Sequence, residues 1–214
     1  MIALREPRVV TALLVAALSL FAVWRAAPLL RYGVSETLLD EPAMEAAMRP
    51  LTTDRSVGFL ARRKLLTLSE PGDGTQHIDE IGQLLALAPL SSATWLELAR
   101  ARFSAGAGAE DIFGALALSR LTGPNEAYVM AARASFGLPL WAMAPAEAKS
   151  GLVRDLVGGW IETSETQRTL LRIVLQEARP ETRDELRAAL VAAGKDGATV
   201  SSRLGLSPEP DRAP

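Results

Sequence analysis

The sequence predicts an all-α protein, with one N-terminal transmembrane helix followed by a solenoid of helical hairpins. Three observations predict it. Residues 9–24, VVTALLVAALSLFAVW, carry no charge and lie between Arg5 and Arg8 on one side and Arg25 on the other. Downstream, Pro and Gly gather at 71–74, 105–108, 122–124, 137–139 and 194–197, and the stretches between them have helical length without strand alternation. Residues 91–104 also match residues 124–137 at an offset of 33, and a repeat of that period made of two helices marks stacked hairpins.

The composition supports a folded core and excludes several chemistries. Of 214 residues, 49% are hydrophobic and 22% charged, with Lys plus Arg 23 against Asp plus Glu 25. That is too apolar for a disordered chain, and a net charge of -2 does not suit a general polyanion binder, so no nucleic-acid partner is expected. There is no Cys and a single His, His77. Disulfides, thiol nucleophiles and sites built on several imidazoles are therefore ruled out.

The apolar run is shorter than the roughly 20 residues of a standard span, but Arg25 can snorkel and let residues 26–30 extend it. Trp24 and Arg25 occupy the positions where a small-x-small cleavage site before Ala26 or Ala27 would need small residues, which favours an uncleaved anchor over 1–31. A short basic N-terminal tail usually stays in the cytoplasm, placing the remainder outside it. Membrane contact is assigned to residues 9–30.

Beyond the anchor, helices are expected near 41–49, 53–68, 77–88, 91–104, 109–121, 125–136, 145–161, 164–178 and 181–193. In the second, Val57, Leu60, Ala61 and Leu65 recur at three-and-four spacing. Ser164 with Gln167 forms a capping box, Pro145 and Pro180 suit first-turn positions, and Gly194 suits a helix stop. The expected helical domain is 41–194, and the tail 195–214, with little to bury, is expected to be disordered.

The repeat pairs Trp95 with Tyr128, Ala99 with Ala132, Arg100 with Arg133, Ala101 with Ala134 and Phe103 with Phe136. The preceding helices correspond through DEIGQLL at 79–85 and DIFGALA at 111–117, and a weaker copy at 57–66 repeats Leu60, Ala61, Arg62. A large aromatic early in a helix fills the gap to its partner, and a small residue four positions later lets the helices approach. Trp95, Leu98, Ala99 and the closing Pro124 resemble the tetratricopeptide pattern over residues 41–140, although Arg102 stands where that family usually has Tyr and Ala131 where Leu is expected. The anchor, the degenerate repeats and the run LALSRLTGPNEAYVMAARASFGLPLW also resemble small membrane-anchored proteins that accompany alphaproteobacterial exopolysaccharide or O-antigen biosynthesis. That resemblance implies a single-pass inner-membrane protein with a periplasmic helical domain. It further implies an adaptor or scaffold for protein partners of a polysaccharide-assembly complex; it transfers no catalytic motif, and no cofactor or metal is expected.

Arg62, Arg100 and Arg133 share one repeat position. At 100° per residue Arg100 falls about 140° from Trp95, beside the apolar arc. Stacked hairpins would align the three guanidinium groups as a row able to hold carboxylate or phosphate groups of a partner. The alternative is that each pairs with a nearby acid such as Glu97 or Glu126. His77, with Asp73, Asp79 and Glu80, permits a competing reading as a small carboxylate-based hydrolase or transferase, but acids in a first helical turn are favoured by the helix dipole alone. Trp141 and Trp160 are expected to be core.

Overall fold

A computed structural model describes residues 7–68 and 74–206. Their regular elements are all helical, with no strand among the described residues. The chain divides into two compact units, Met1–Gly72 and Asp73–Pro214.

In the first unit, α1 runs Pro7–Leu38. It is long and apolar enough over Val9–Leu38 to cross a membrane, and its most apolar stretch is unburied. Its C-terminal part is different. Ser35 is buried, and Ala26, Ala27, Pro28 and Tyr32 are half-covered, on a segment that packs against α2, Glu41–Met48. The anchor expected over 1–31 is thus one end of a longer helix whose other end belongs to a small folded unit; residues 1–6 lie outside the described residues. Asp40 caps α2, its side chain accepting the Ala43 N–H at 3.2 Å. A 3-10 segment, Arg49–Thr53, then leads to α3, Gly58–Leu68. The expected helix over 53–68 starts five residues late because Asp54 closes a turn, its carboxylate accepting the Ser56 and Val57 N–H groups at 2.8 and 3.2 Å. Met44, Met48, Leu51, Val57 and Ala61 form the core, with Tyr32 and Leu65 against it.

The second unit holds α4 (Gly74–Leu87), α5 (Ser92–Ser104), α6 (Ala109–Thr122), α7 (Ala127–Gly137), α8 (Ala146–Gly158), α9 (Glu165–Glu177), α10 (Pro180–Ala192) and α11 (Lys195–Arg203). Four-residue connections join α4 to α5, α5 to α6 and α6 to α7, which makes neighbours antiparallel. α5 packs on α4, α6 and α7, while α8 packs on α6, α7, α10 and α11. Repeat-equivalent positions carry these contacts: Leu96 and Val129, Leu98 and Ala131, and Ala101 and Ala134 are all buried, and the Phe103 and Phe136 rings meet edge to face at 5.8 Å. The aromatic assignment is corrected. Trp95 is half-buried and its indole N–H donates to Pro89 O at 2.8 Å, while Tyr128 is largely exposed. Both stand in first helical turns, where a connection and not a partner helix is the neighbour.

Trp141 and Trp160 are buried as expected. The Trp141 indole N–H donates to Glu185 at 3.0 Å, and the Lys149 ammonium donates to the same carboxylate at 2.9 Å. These contacts, Lys149's first, hold the Glu185 carboxyl below the usual glutamate range. Their contribution is present above the ordinary glutamate pKa of about 4.3 and is lost as pH falls through the depressed folded value. Acid titration is therefore expected to change Trp141 emission only below the ordinary glutamate range, and Glu185→Gln should abolish that step.

The expectation of a disordered tail is corrected for residues 195–206. Gly194, at φ +90°, turns the chain between α10 and α11, and Val200, Leu204 and Leu206 are buried. Val200 and Leu204 sit four apart on one face, and α11 packs on both α8 and α10. Residues 207–214 lie outside the described residues.

Candidate functional site

The three repeat arginines have three different environments. Arg62, in the first unit, donates through Nε to Thr52 O at 3.1 Å and ties α3 to the preceding 3-10 turn. Arg100 lies at the surface and pairs with Glu97 on its own helix at 2.8 Å. Arg133 has 0% exposure. Its Nε and Nη2 donate to the two Asp155 oxygens at 3.1 and 2.8 Å, Nη1 donates to Ser119 O and Oγ at 3.1 and 3.3 Å, and Nη2 also reaches Gly123 O at 3.1 Å. Every guanidinium N–H is thereby occupied inside the protein. The expectation that these residues line one surface is corrected at Arg133: its partner is the buried Asp155 on α8, whereas among the described residues Arg100 pairs with Glu97 on its own helix.

Asp155 is itself fully buried and receives a second arginine, Arg120, whose Nε and Nη2 both donate to Oδ2 at 3.1 and 2.9 Å. One carboxylate thus joins α6, α7 and α8. The approach is close enough that a Cβ on Gly151 would stand 2.1 Å from the Arg120 guanidinium carbon. The Ser119 hydroxyl extends the network by donating to Ser92 O at 2.7 Å, and Ser92 Oγ donates to Glu126 at 2.6 Å. The repeat alignment did not reveal this cluster, although a signal existed. Asp155 interrupts an apolar arc of Ala148, Gly151, Leu152, Leu156 and Gly159, and a charge in a buried arc demands a partner. With every Arg133 donor and the Asp155 carboxylate satisfied internally, the network fixes how α6, α7 and α8 are packed.

His77 is half-buried on α4, and the Glu80 carboxylate accepts from Gln76 at 3.2 Å. Asp79 follows His77 by two residues, about 200° around the helix, and Asp73 lies outside the described residues. No group of three or more His, Asp or Glu among the described residues is arranged to hold a metal ion.

A surface feature stands apart from these interior contacts. Antiparallel connectivity brings the end of α4, the start of α5, the end of α6, the start of α7 and the end of α8 to one end of the helices. Close approaches between these ends agree: a Cβ on Gly123 would meet Ser92 at 2.5 Å, and one on Gly159 would meet the Ala131 backbone nitrogen at 2.3 Å. At this end Leu90 is 78% exposed, Leu121 76%, Tyr128 74% and Ile161 82%. Single exposed apolar side chains are ordinary, but here four large ones stand in or beside the alternate connections α4–α5, α6–α7 and α8–α9, at one end of the helices.

The chain matches no protein-family model, no curated protein and no solved structure.

Proposed function

We propose that this chain is a non-catalytic adaptor, held at the inner membrane by α1, whose helical unit docks protein partners of an envelope exopolysaccharide-assembly complex on the periplasmic side. The observation that carries the adaptor reading is the apolar rim of Leu90, Leu121, Tyr128 and Ile161. Large apolar and aromatic side chains give most of the energy of protein contacts when a partner desolvates them. The packing of α5 on α7 and α6 on α8 supports a tetratricopeptide-like stack of hairpins, and such stacks present extended binding surfaces. The envelope-polysaccharide role rests on the sequence resemblance across residues 116–141.

The test is a double substitution, Leu121→Asp with Tyr128→Asp. Exposed positions tolerate substitution within about 0.5 kcal/mol, whereas loss of interface anchors costs about 2 kcal/mol or more, close to a thirtyfold loss of affinity. The variant should remain as abundant as the parent and reproduce the surface-polysaccharide defect of a deletion strain. Full complementation by the double variant, or loss of function in a folded and abundant His77→Ala protein, contradicts the adaptor reading.

A further inference from the structure

The first unit contains a cleft between the C-terminal half of α1 and the segment from the end of α2 through Ser56, with a volume of about 530 Å³. Trp24, Arg25, Pro28 and Arg31 contribute from α1, and Leu51 and Asp54 stand opposite. Its position along α1 is informative. The uncharged run ends at Trp24, and the exposed Phe21 and Trp24 rings, 6.1 Å apart, stand where aromatic residues mark a membrane boundary. Immediately beyond, Ala26–Pro28 are half-covered by the small folded unit. The cleft therefore sits at headgroup depth when α1 spans the bilayer.

Its charge is also specific. Arg25 and Arg31 are exposed, and neither has a carboxylate within ion-pair distance among the described residues. Asp54, the acid in the lining, is committed elsewhere: its Oδ1 accepts the Ser56 hydroxyl and the Ser56 and Val57 N–H groups. These bonds, Ser56's side chain first, hold its carboxyl below the usual aspartate range, with Arg25 adding a smaller lowering effect. Two guanidinium groups with open donors beside an indole and a proline ring suit a phosphate that carries an apolar chain. A water-soluble anion would gain nothing from Trp24 and Pro28.

We infer that the cleft formed by Trp24, Arg25, Pro28 and Arg31 binds the phosphate of an anionic membrane lipid whose acyl chains lie along the span. The inference rests on the reading of α1 as a membrane span, and it adds a ligand that the adaptor reading does not contain.

The test uses the full chain in detergent, incubated with equal amounts of phosphatidylglycerol and phosphatidylcholine, with bound lipid read by native mass spectrometry. The parent should retain phosphatidylglycerol in preference. An arginine near an anionic lipid surface is worth about a fivefold change in binding, so Arg25→Gln with Arg31→Gln should reduce the preference by about 25-fold. Arg25→Lys with Arg31→Lys should keep most of it, and Arg63→Gln, an exposed arginine outside the cleft, should keep all of it. An unchanged preference in the double Gln variant, or no preference in the parent, overturns the inference. Displacement of the lipid by millimolar inorganic phosphate would show a free-phosphate site and overturns the lipid assignment. Release of the chain from membranes by alkaline carbonate contradicts the span itself, a failure distinct from that of a detergent-requiring protein without lipid preference.

Discussion

Asp155→Ala is expected to be among the most destabilising single substitutions in the second unit. Asp155 is wholly buried and accepts four hydrogen bonds from Arg120 and Arg133. Removing it leaves the Arg133 guanidinium in the interior with Nε lacking an acceptor, and leaves Arg120 without the carboxylate it grips. Breaking a buried pair by deleting one partner costs about 3–5 kcal/mol, because the remaining charge stays desolvated. A domain's whole stability is about 5–15 kcal/mol. The net worth of the intact network is a separate quantity and can be small, since burying the charges is itself costly. Arg100→Gln, at the repeat-equivalent position of Arg133, removes only a surface pair with Glu97 and should cost no more than about 1 kcal/mol. Urea unfolding of the detergent-solubilised chain, followed by tryptophan emission, compares the two variants. Equal midpoints would show that the network does not hold α6, α7 and α8 together.

Gly159→Ala is the second large effect, and its cause is steric. The backbone at Gly159 has φ -90°, open to any residue, so no conformational preference requires glycine there. What requires it is α7. A Cβ would lie 2.3 Å from Ala131 N and 2.8 Å from both Ala131 Cα and Met130 C. These are backbone atoms that cannot rotate aside, so the end of α8 must move away from α7. Overpacking of this kind costs about 1–3 kcal/mol or more. Gly114→Ala gives the opposite sign: nothing stands within 4 Å of the Cβ position at this exposed site on α6, and alanine favours helix over glycine by about 1 kcal/mol. Melting followed by circular dichroism should show a fall for the first and a rise for the second.

Local signals made most of the helices legible. The expected 91–104 became Ser92–Ser104, with Ser91 accepting the Thr94 N–H, and the Ser164 and Gln167 capping box starts α9 as expected. These features depend on residues three or four apart. What was not legible depends on distant residues. Arg100 and Arg133 each stand between two alanines, yet one pairs at the surface and one is buried, because α8 brings Asp155 to face Arg133. The tail failed for a related reason: Val200 and Leu204 become a helix face only once α8 and α10 provide something to pack against. For the rim, the sequence drew attention to Tyr128 as core. Its exposure follows from its place in the first turn of α7, beside a connection, where no partner helix reaches it.

The measurement that bears most directly on the adaptor reading is site-specific photo-crosslinking in living cells. A crosslinking amino acid at Leu121 or Tyr128 should give a discrete protein adduct. The same group at Glu110, exposed at the opposite end of α6, should not give that adduct. Identical adducts from Glu110, or no adduct from either rim position in cells where the labelled protein is abundant and restores polysaccharide assembly, would contradict partner docking on this rim.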